Sequence, residues 1–424
     1  MFEYFIKYIF ALLMGLVLIG LLGEVLGGYL FIYLFLFLFV FALFPPKYFI
    51  SSNSIIHGYY FIFFIIAPMY ADIHSQDDFS TFKYKIAYGM IFLTHVTAVF
   101  GASVGEGVLK NLQNSGEGID SLAGLRIKIN ILYVLSTSAV FLIIFNSGGL
   151  SYWMEAPGDA FLNRAGSGLY VVASHFFTFI LSALVGFYAY KKKSKLTLLI
   201  FVLWLLVTSP VHGSKQLIAV FFLLSALPWI RDLKFFQIKT IFYTVILLAI
   251  FALGLYFRNI SWMTVDGFLP YALNYFTALR NLMILLEDFD PNFMQTFFLP
   301  FNKFLSPIGI KDLNIYYDMN HMLTDKYFPW AWEIRATEQW PVEADLYLNF
   351  YFVFGLPLIF VYTFIVGYIY GLARFRSNLG LWVVSFLMLL SITSHLRGSL
   401  YNHVDFYLYP MYFVIYLILR KYRL

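Results

Sequence analysis

Apolar runs about as long as a bilayer is thick recur along almost the whole chain, and no other feature limits the fold so severely. A helix needs about twenty predominantly apolar residues to cross, fewer where flanking side chains reach the interface. By that rule the sequence predicts twelve spans, at about 5–23, 28–45, 54–71, 86–105, 129–146, 168–190, 196–210, 215–230, 239–257, 345–371, 379–394 and 403–420. An unpaired backbone is too costly in hydrocarbon, so only helices or closed barrels cross, and the ten-residue alternation of a barrel is absent. The expected fold is an all-α polytopic membrane protein, one membrane domain over residues 1–424. Charged residues make up only 12% of the chain, against about a quarter in soluble proteins. Cysteine is absent, which excludes disulfides, thiol nucleophiles and Cys-ligated metals. The first run has Lys7 ahead of it and no Ala-x-Ala site behind it, and reads as an anchor rather than a secretion signal.

Basic residues in the loops set the orientation. With the N-terminus inside, seventeen of the twenty-eight Lys and Arg fall on the cytoplasmic side, including Lys191, Lys192, Lys193, Lys195 and the C-terminal Arg420, Lys421 and Arg423, with only five acids beside them. The stretch 258–345, between the ninth and tenth runs, is then a large exterior loop. Within it Asp266 and Pro270 look like a helix start and Asp290-Pro291 a stop. Leu269, Leu273, Phe276, Leu279, Leu282, Met283 and Leu286 recur at helical spacing between them, which predicts an amphipathic helix on or near the membrane surface.

Four groups carry possible chemistry. The turn Thr208 to Gln216 holds His212 and Lys215. The run before it is short, about 21 Å from Leu196 to Ser209 at 1.5 Å per residue, so the turn is expected to sit sunk in the membrane. Lys215 snorkelling and His212 capping a helix explain the same residues. A second turn, Ser394-His395-Leu396-Arg397-Gly398-Ser399, repeats the pattern, and its guanidinium suits phosphate, although an interfacial anchor reads the same way. In the loop stand Arg258, Arg280 and Arg335, with Trp330, Trp332 and Trp340 as flat faces for sugar rings or as part of an aromatic belt. Glu343 and Asp345 stand at the mouth of the tenth run, where a carboxylate can take a proton from an attacking hydroxyl or mark a loop end. There is no phosphate-binding Gly-x-x-x-x-Gly-Lys loop, zinc His-Glu-x-x-His or Gly-x-Ser-x-Gly elbow. His57, His74, His95, His175 and His403 are scattered without ligand spacing.

The runs, the turn Gly213-Ser214-Lys215, the large loop and Glu343 through Gly355-Leu356-Pro357 together resemble the bacterial O-antigen polymerases, which are similar to the O-antigen ligases. Ligases usually read Gly-Ser-Arg-Gly where this chain has Lys215-Gln216 at the last two places, and His-Asn where it has Glu343-Ala344. The resemblance implies a GT-C-like glycosyltransferase of the bacterial inner membrane, with both termini cytoplasmic. It would transfer a chain from undecaprenyl pyrophosphate to a lipid-linked repeat unit. Glu343, Arg280, Lys215 and Arg397 would then be catalytic, with His212, Arg258, Arg335, His395, Trp332 and Trp340 binding substrate. No metal or other cofactor and no nucleic acid is implied; a chain-length regulator is the protein partner to consider. The alternatives are a ligase or a flippase. A flippase should line its central spans with charges, whereas nearly all ionisable groups here fall in predicted loops.

Overall fold

The computed structural model describes residues 2–22, 28–74, 81–109, 122, 124–164, 166–212, 215–258, 276, 278–305, 316–333 and 337–424. These are almost entirely helical, with no β-strand beyond two isolated bridges. Among the described residues eight helices are long and apolar enough to cross a membrane, consistent with an all-α, membrane-embedded protein. They are α1 (Phe2–Leu21), α3 (Ser52–Tyr70), α4 (Phe82–Val108), α5 (Leu125–Asn146), α6 (Gly168–Lys192), α7 (Lys195–His212), α13 (Val353–Arg376) and α14 (Leu379–Leu396). The other four predicted runs are also helical: α2 (Tyr29–Leu43), α8 (Lys215–Ile230), α9 (Ile238–Arg258) and α15 (Asp405–Leu419).

Small residues bring the central helices together. Gly101 and Gly105 on α4 lie against the backbone of α13 at Phe360 and Phe364, while Gly367 on α13 lies against Ala102. A Cβ on Gly105 would stand 2.2 Å from the Phe364 carbonyl oxygen. Four-residue spacing puts Gly101 and Gly105 on one face of α4, so the two backbones meet along a stripe, the usual way helices associate where lipid is as apolar as leucine. Around this pair α2, α3 and α14 bury the main core, including Tyr33, Tyr60, Phe64, Phe92 and Phe386. The outward faces stay apolar, as in Leu199, Leu203 and Val207 on α7 and Ile241, Val245 and Leu248 on α9, where lipid takes the place of a protein partner.

At one end of the bundle Arg374 stacks 3.5 Å from the Tyr48 ring, donates to the Arg231 carbonyl at 2.9 Å and pairs with Asp232 at 3.2 Å. At the other end lies a lid built from α10 (Ala278–Asp288), α11 (Met319–Tyr327) and α12 (Val342–Phe350). The predicted amphipathic helix exists as α10, but its apolar face does not lie on a membrane surface. Leu279, Leu282, Met283 and Leu285 are buried in the main protein core, so helices rather than headgroups satisfy that face. Its predicted beginning, with Leu269 and Leu273, lies outside the described residues. The tenth run is also broken. Tyr351 and Phe352 take positive φ, 50° and 63°, which ends α12 and turns the chain into α13 eight residues later than predicted.

Candidate active site

Six of the predicted site residues, Arg397, His395, Arg280, Glu343, Trp340 and Trp332, lie at the lid end, and their surroundings separate them. The connection from α14 to α15 carries Arg397. Beneath it His395 is 1% exposed and spends both ring nitrogens inside the protein, Nδ1 on the Tyr362 hydroxyl at 2.7 Å and Nε2 on Asp405 at 2.9 Å. Asp405 also accepts from the Asn402 amide at 2.8 Å, and the Tyr59 hydroxyl donates to the Leu396 carbonyl at 2.6 Å. From α12, Asp345 accepts from the Leu400 amide at 3.2 Å, from Asn349 at 2.8 Å and from the Ser399 hydroxyl. The Asn349 amide closes the other side by donating to Thr296 at 2.8 Å and accepting the Thr296 amide at 2.7 Å. This buried network fixes the turn, and with it the base of the Arg397 side chain.

Above the turn is a polar cleft of about 120 Å³. Ser394, Arg397, Ser399 and Asn402 form its floor, and Asp318, Asn320, Glu338 and Gln339 of the lid form its walls. The lid touches the turn directly, since a Cβ on Gly398 would stand 3.0 Å from the Asn320 side chain. Asp318 caps α11, accepting from the His321 amide at 2.9 Å, and lies 3.5 Å from His321 and 3.8 Å from His403. Burial pushes His403 down to about 4, so it is neutral at physiological pH. Arg280 stands at the rim. Asn281, its neighbour, donates to the Gln339 carbonyl at 2.7 Å, and Arg280 acts electrostatically on Glu338. Partial burial raises the Glu338 carboxyl despite Arg280, which pulls the other way. The cleft therefore holds Arg397 on its floor and, in its wall, a carboxylate of raised proton affinity on which Arg280 acts.

Glu343 does not line this cleft. It is 0% exposed, with Oε1 accepting from the Tyr60 hydroxyl at 2.9 Å, and burial raises its carboxyl strongly. Trp340 is equally enclosed, packed on Tyr327 and Phe328, so it is a core residue of the lid and not an open platform. Trp332 is half-buried against His321 and Tyr316 and does not line the cleft. His212 is 2% exposed, between Ser174 at 3.5 Å and Thr208 at 3.2 Å, and is not available to a ligand. The helix leading into its turn is longer than predicted. The helix runs through Pro210 to His212, eighteen residues or about 27 Å. Lys215 opens α8 and Arg258 closes α9, but both side chains, like all of Arg335, lie outside the described residues.

Sequence reasoning missed two groups. Arg164, in the connection between α5 and α6, acts on His175, His212 and Tyr407, and so bridges the first turn to α15. Glu338 was passed over for Glu343, although it stands in a polar stretch with Glu333 on a lid otherwise rich in aromatics. Comparison with models of protein families, with curated proteins and with solved structures finds no match to this chain.

Proposed function

We propose that this chain is a glycosyltransferase that polymerises oligosaccharide repeat units carried on undecaprenyl pyrophosphate, at the outer face of the bacterial inner membrane. Both termini would be cytoplasmic and twelve helices would cross, in a GT-C-like arrangement. The observation that carries this reading is Arg397, held by a buried hydrogen-bond network on the floor of a polar cleft, with Arg280 at the rim. A guanidinium fork matches diphosphate oxygens, and a cation that is already fixed in place needs no rearrangement as charge develops.

In the reaction the glycosyl–phosphate bond of the donor breaks as an acceptor hydroxyl attacks the sugar carbon, and undecaprenyl pyrophosphate departs. Arg397 and Arg280 would hold the departing diphosphate. Glu338 is better placed than Glu343 to take the hydroxyl proton, because it lines the cleft whereas Glu343 is sealed. Its raised proton affinity is the property a general base near neutral pH requires. Trp332, only half-buried beside His321, would stack on a sugar ring.

The test is purified protein in vesicles with a synthetic undecaprenyl-pyrophosphate oligosaccharide. A ladder of lengthened lipid-linked products that is lost in Arg397→Ala supports the assignment. With lipid A-core added to the vesicles, single transfer to it only would instead identify a ligase, and movement of intact lipid-linked units across the bilayer without bond formation a flippase.

A further inference from the structure

The bundle interior holds ionisable groups that the cleft does not use. The sequence places nearly all such groups in loops, yet three of them, Glu343, His57 and His95, meet between α2, α3, α4 and α12, each at most 2% exposed. His57 Nδ1 lies 3.0 Å from His95 Nε2, and His57 Nε2 lies 3.1 Å from the Phe44 carbonyl. The Tyr60 ring lies flat on His95, centroids 4.5 Å apart, and its hydroxyl reaches Glu343. Thr94, one residue before His95, also contacts Glu343. Two further atoms belong to this group. Neither Glu343 Oε2 nor His95 Nδ1 has a hydrogen-bond partner among the described residues, although both are fully buried.

Depth gives the arrangement its meaning. α3 begins at Ser52, whose amide bonds Glu106 at 3.3 Å, and Tyr60 is eight residues further on, about 12 Å along a helix. Tyr59, its neighbour, bonds the Leu396 carbonyl below the lid, so Glu343 lies inside the bundle just beneath the lid. A carboxyl so enclosed is costly, and ionisable groups inside membrane bundles usually serve transport of charge. Core packing alone would explain two buried imidazoles, but it does not explain a carboxyl oxygen and an imidazole nitrogen both left without partners on the two residues that Tyr60 joins, its hydroxyl on Glu343 and its ring on His95.

We propose that Glu343, His95 and His57 form a proton relay through the membrane interior, from the underside of the lid toward the Phe44 end of the bundle. Glu343 takes a proton at its carboxylate and passes one to His95 Nδ1. His95 releases the proton on Nε2 to His57 Nδ1, and His57 releases its Nε2 proton past the Phe44 carbonyl, beside Asn53 and Ser103. Each imidazole gains one proton and loses one, and turning its ring restores the starting tautomer. Tyr33 on α2 and Tyr59 and Tyr60 on α3 are the other titratable groups facing Glu343, and Arg397 acts on Tyr59 from the far side.

The full chain in vesicles loaded with a pH-sensitive dye, given a valinomycin potassium potential negative inside, tests this. Wild type is expected to admit protons several-fold faster than protein-free vesicles. Glu343→Gln and His95→Gln should each fall to background, Glu343→Asp should recover part of the rate, and Lys83→Gln, at the start of α4 where it pairs with Glu287, should match wild type. Wild-type flux equal to protein-free vesicles, a measurement needing no variant, overturns the relay. So does equal flux in wild type and monodisperse Glu343→Gln. Product ladders read on the same preparations separate this outcome from failure of the glycosyltransferase assignment.

Discussion

Replacing Asp345 by Ala removes the acceptor that ties α12 to the turn carrying Arg397. The Leu400 amide and one Asn349 amide hydrogen lose their partner, while the Ser399 hydroxyl can turn toward the cleft. Each buried donor left unsatisfied costs about 1–3 kcal/mol, and part of this is returned because a buried carboxylate is no longer desolvated, so a net loss of about 3 kcal/mol is expected. Asn at this position offers one oxygen to two nitrogen donors and turns the second contact into donor against donor, so Asp345→Asn should lose about 1–2 kcal/mol. The sign with pH follows from burial, which raises the Asp345 carboxyl in the folded chain. The native state then holds the proton more tightly than the unfolded state, and wild-type stability falls as pH rises from the ordinary aspartate value through the raised one. The Ala variant lacks that slope, so the gap between the two is widest at the acid side of the window. Unfolding in detergent, followed by intrinsic fluorescence at several pH values, measures it. A midpoint for Asp345→Ala indistinguishable from wild type, or a gap that grows toward alkaline pH, would refute the reasoning.

The other expectations concern single groups. Arg397→Ala should lower polymer formation about 10²–10³-fold, as removal of one fixed donor to developing charge does elsewhere; Arg397→Lys should recover only part, and quantified lipid-linked products decide it. Glu338→Gln should slow the reaction about 10²-fold or more. In wild type the rate should rise with pH to a midpoint above that of a free glutamate, because the raised carboxyl must ionise to act, and a pH–rate profile without that limb sinks the assignment. Trp332→Ala should raise the acceptor KM with little change in kcat, which steady-state kinetics separates. Gly105→Leu should destabilise the bundle by about 3 kcal/mol or more, since even its Cβ meets the Phe364 carbonyl, and a wild-type thermal midpoint would contradict the packing.

Helical, membrane-embedded architecture was legible because hydrocarbon demands the same thing of every segment: apolar side chains outside and a backbone paired with itself. The sequence also located the turn bearing Arg397, through its His-Leu-Arg-Gly-Ser pattern between two apolar runs. Which polar groups face a ligand was not legible. Glu343 and Glu338 stand five residues apart and are chemically alike, yet one is enclosed by Tyr60 and Thr94 and the other lines a cleft. Trp340 and Trp332 divide in the same way.

Alone, then, the order of residues determined that this chain enters a membrane as helices, because that requirement is local and repeats every few residues. The tertiary structure decided that His395 supports Arg397 rather than touching a ligand, that α10 docks on protein rather than lipid, and that Tyr60 joins Glu343 to His95 within the bundle. Those outcomes depend on which helix comes to lie against which, a contact between residues tens to hundreds of positions apart that no local pattern records.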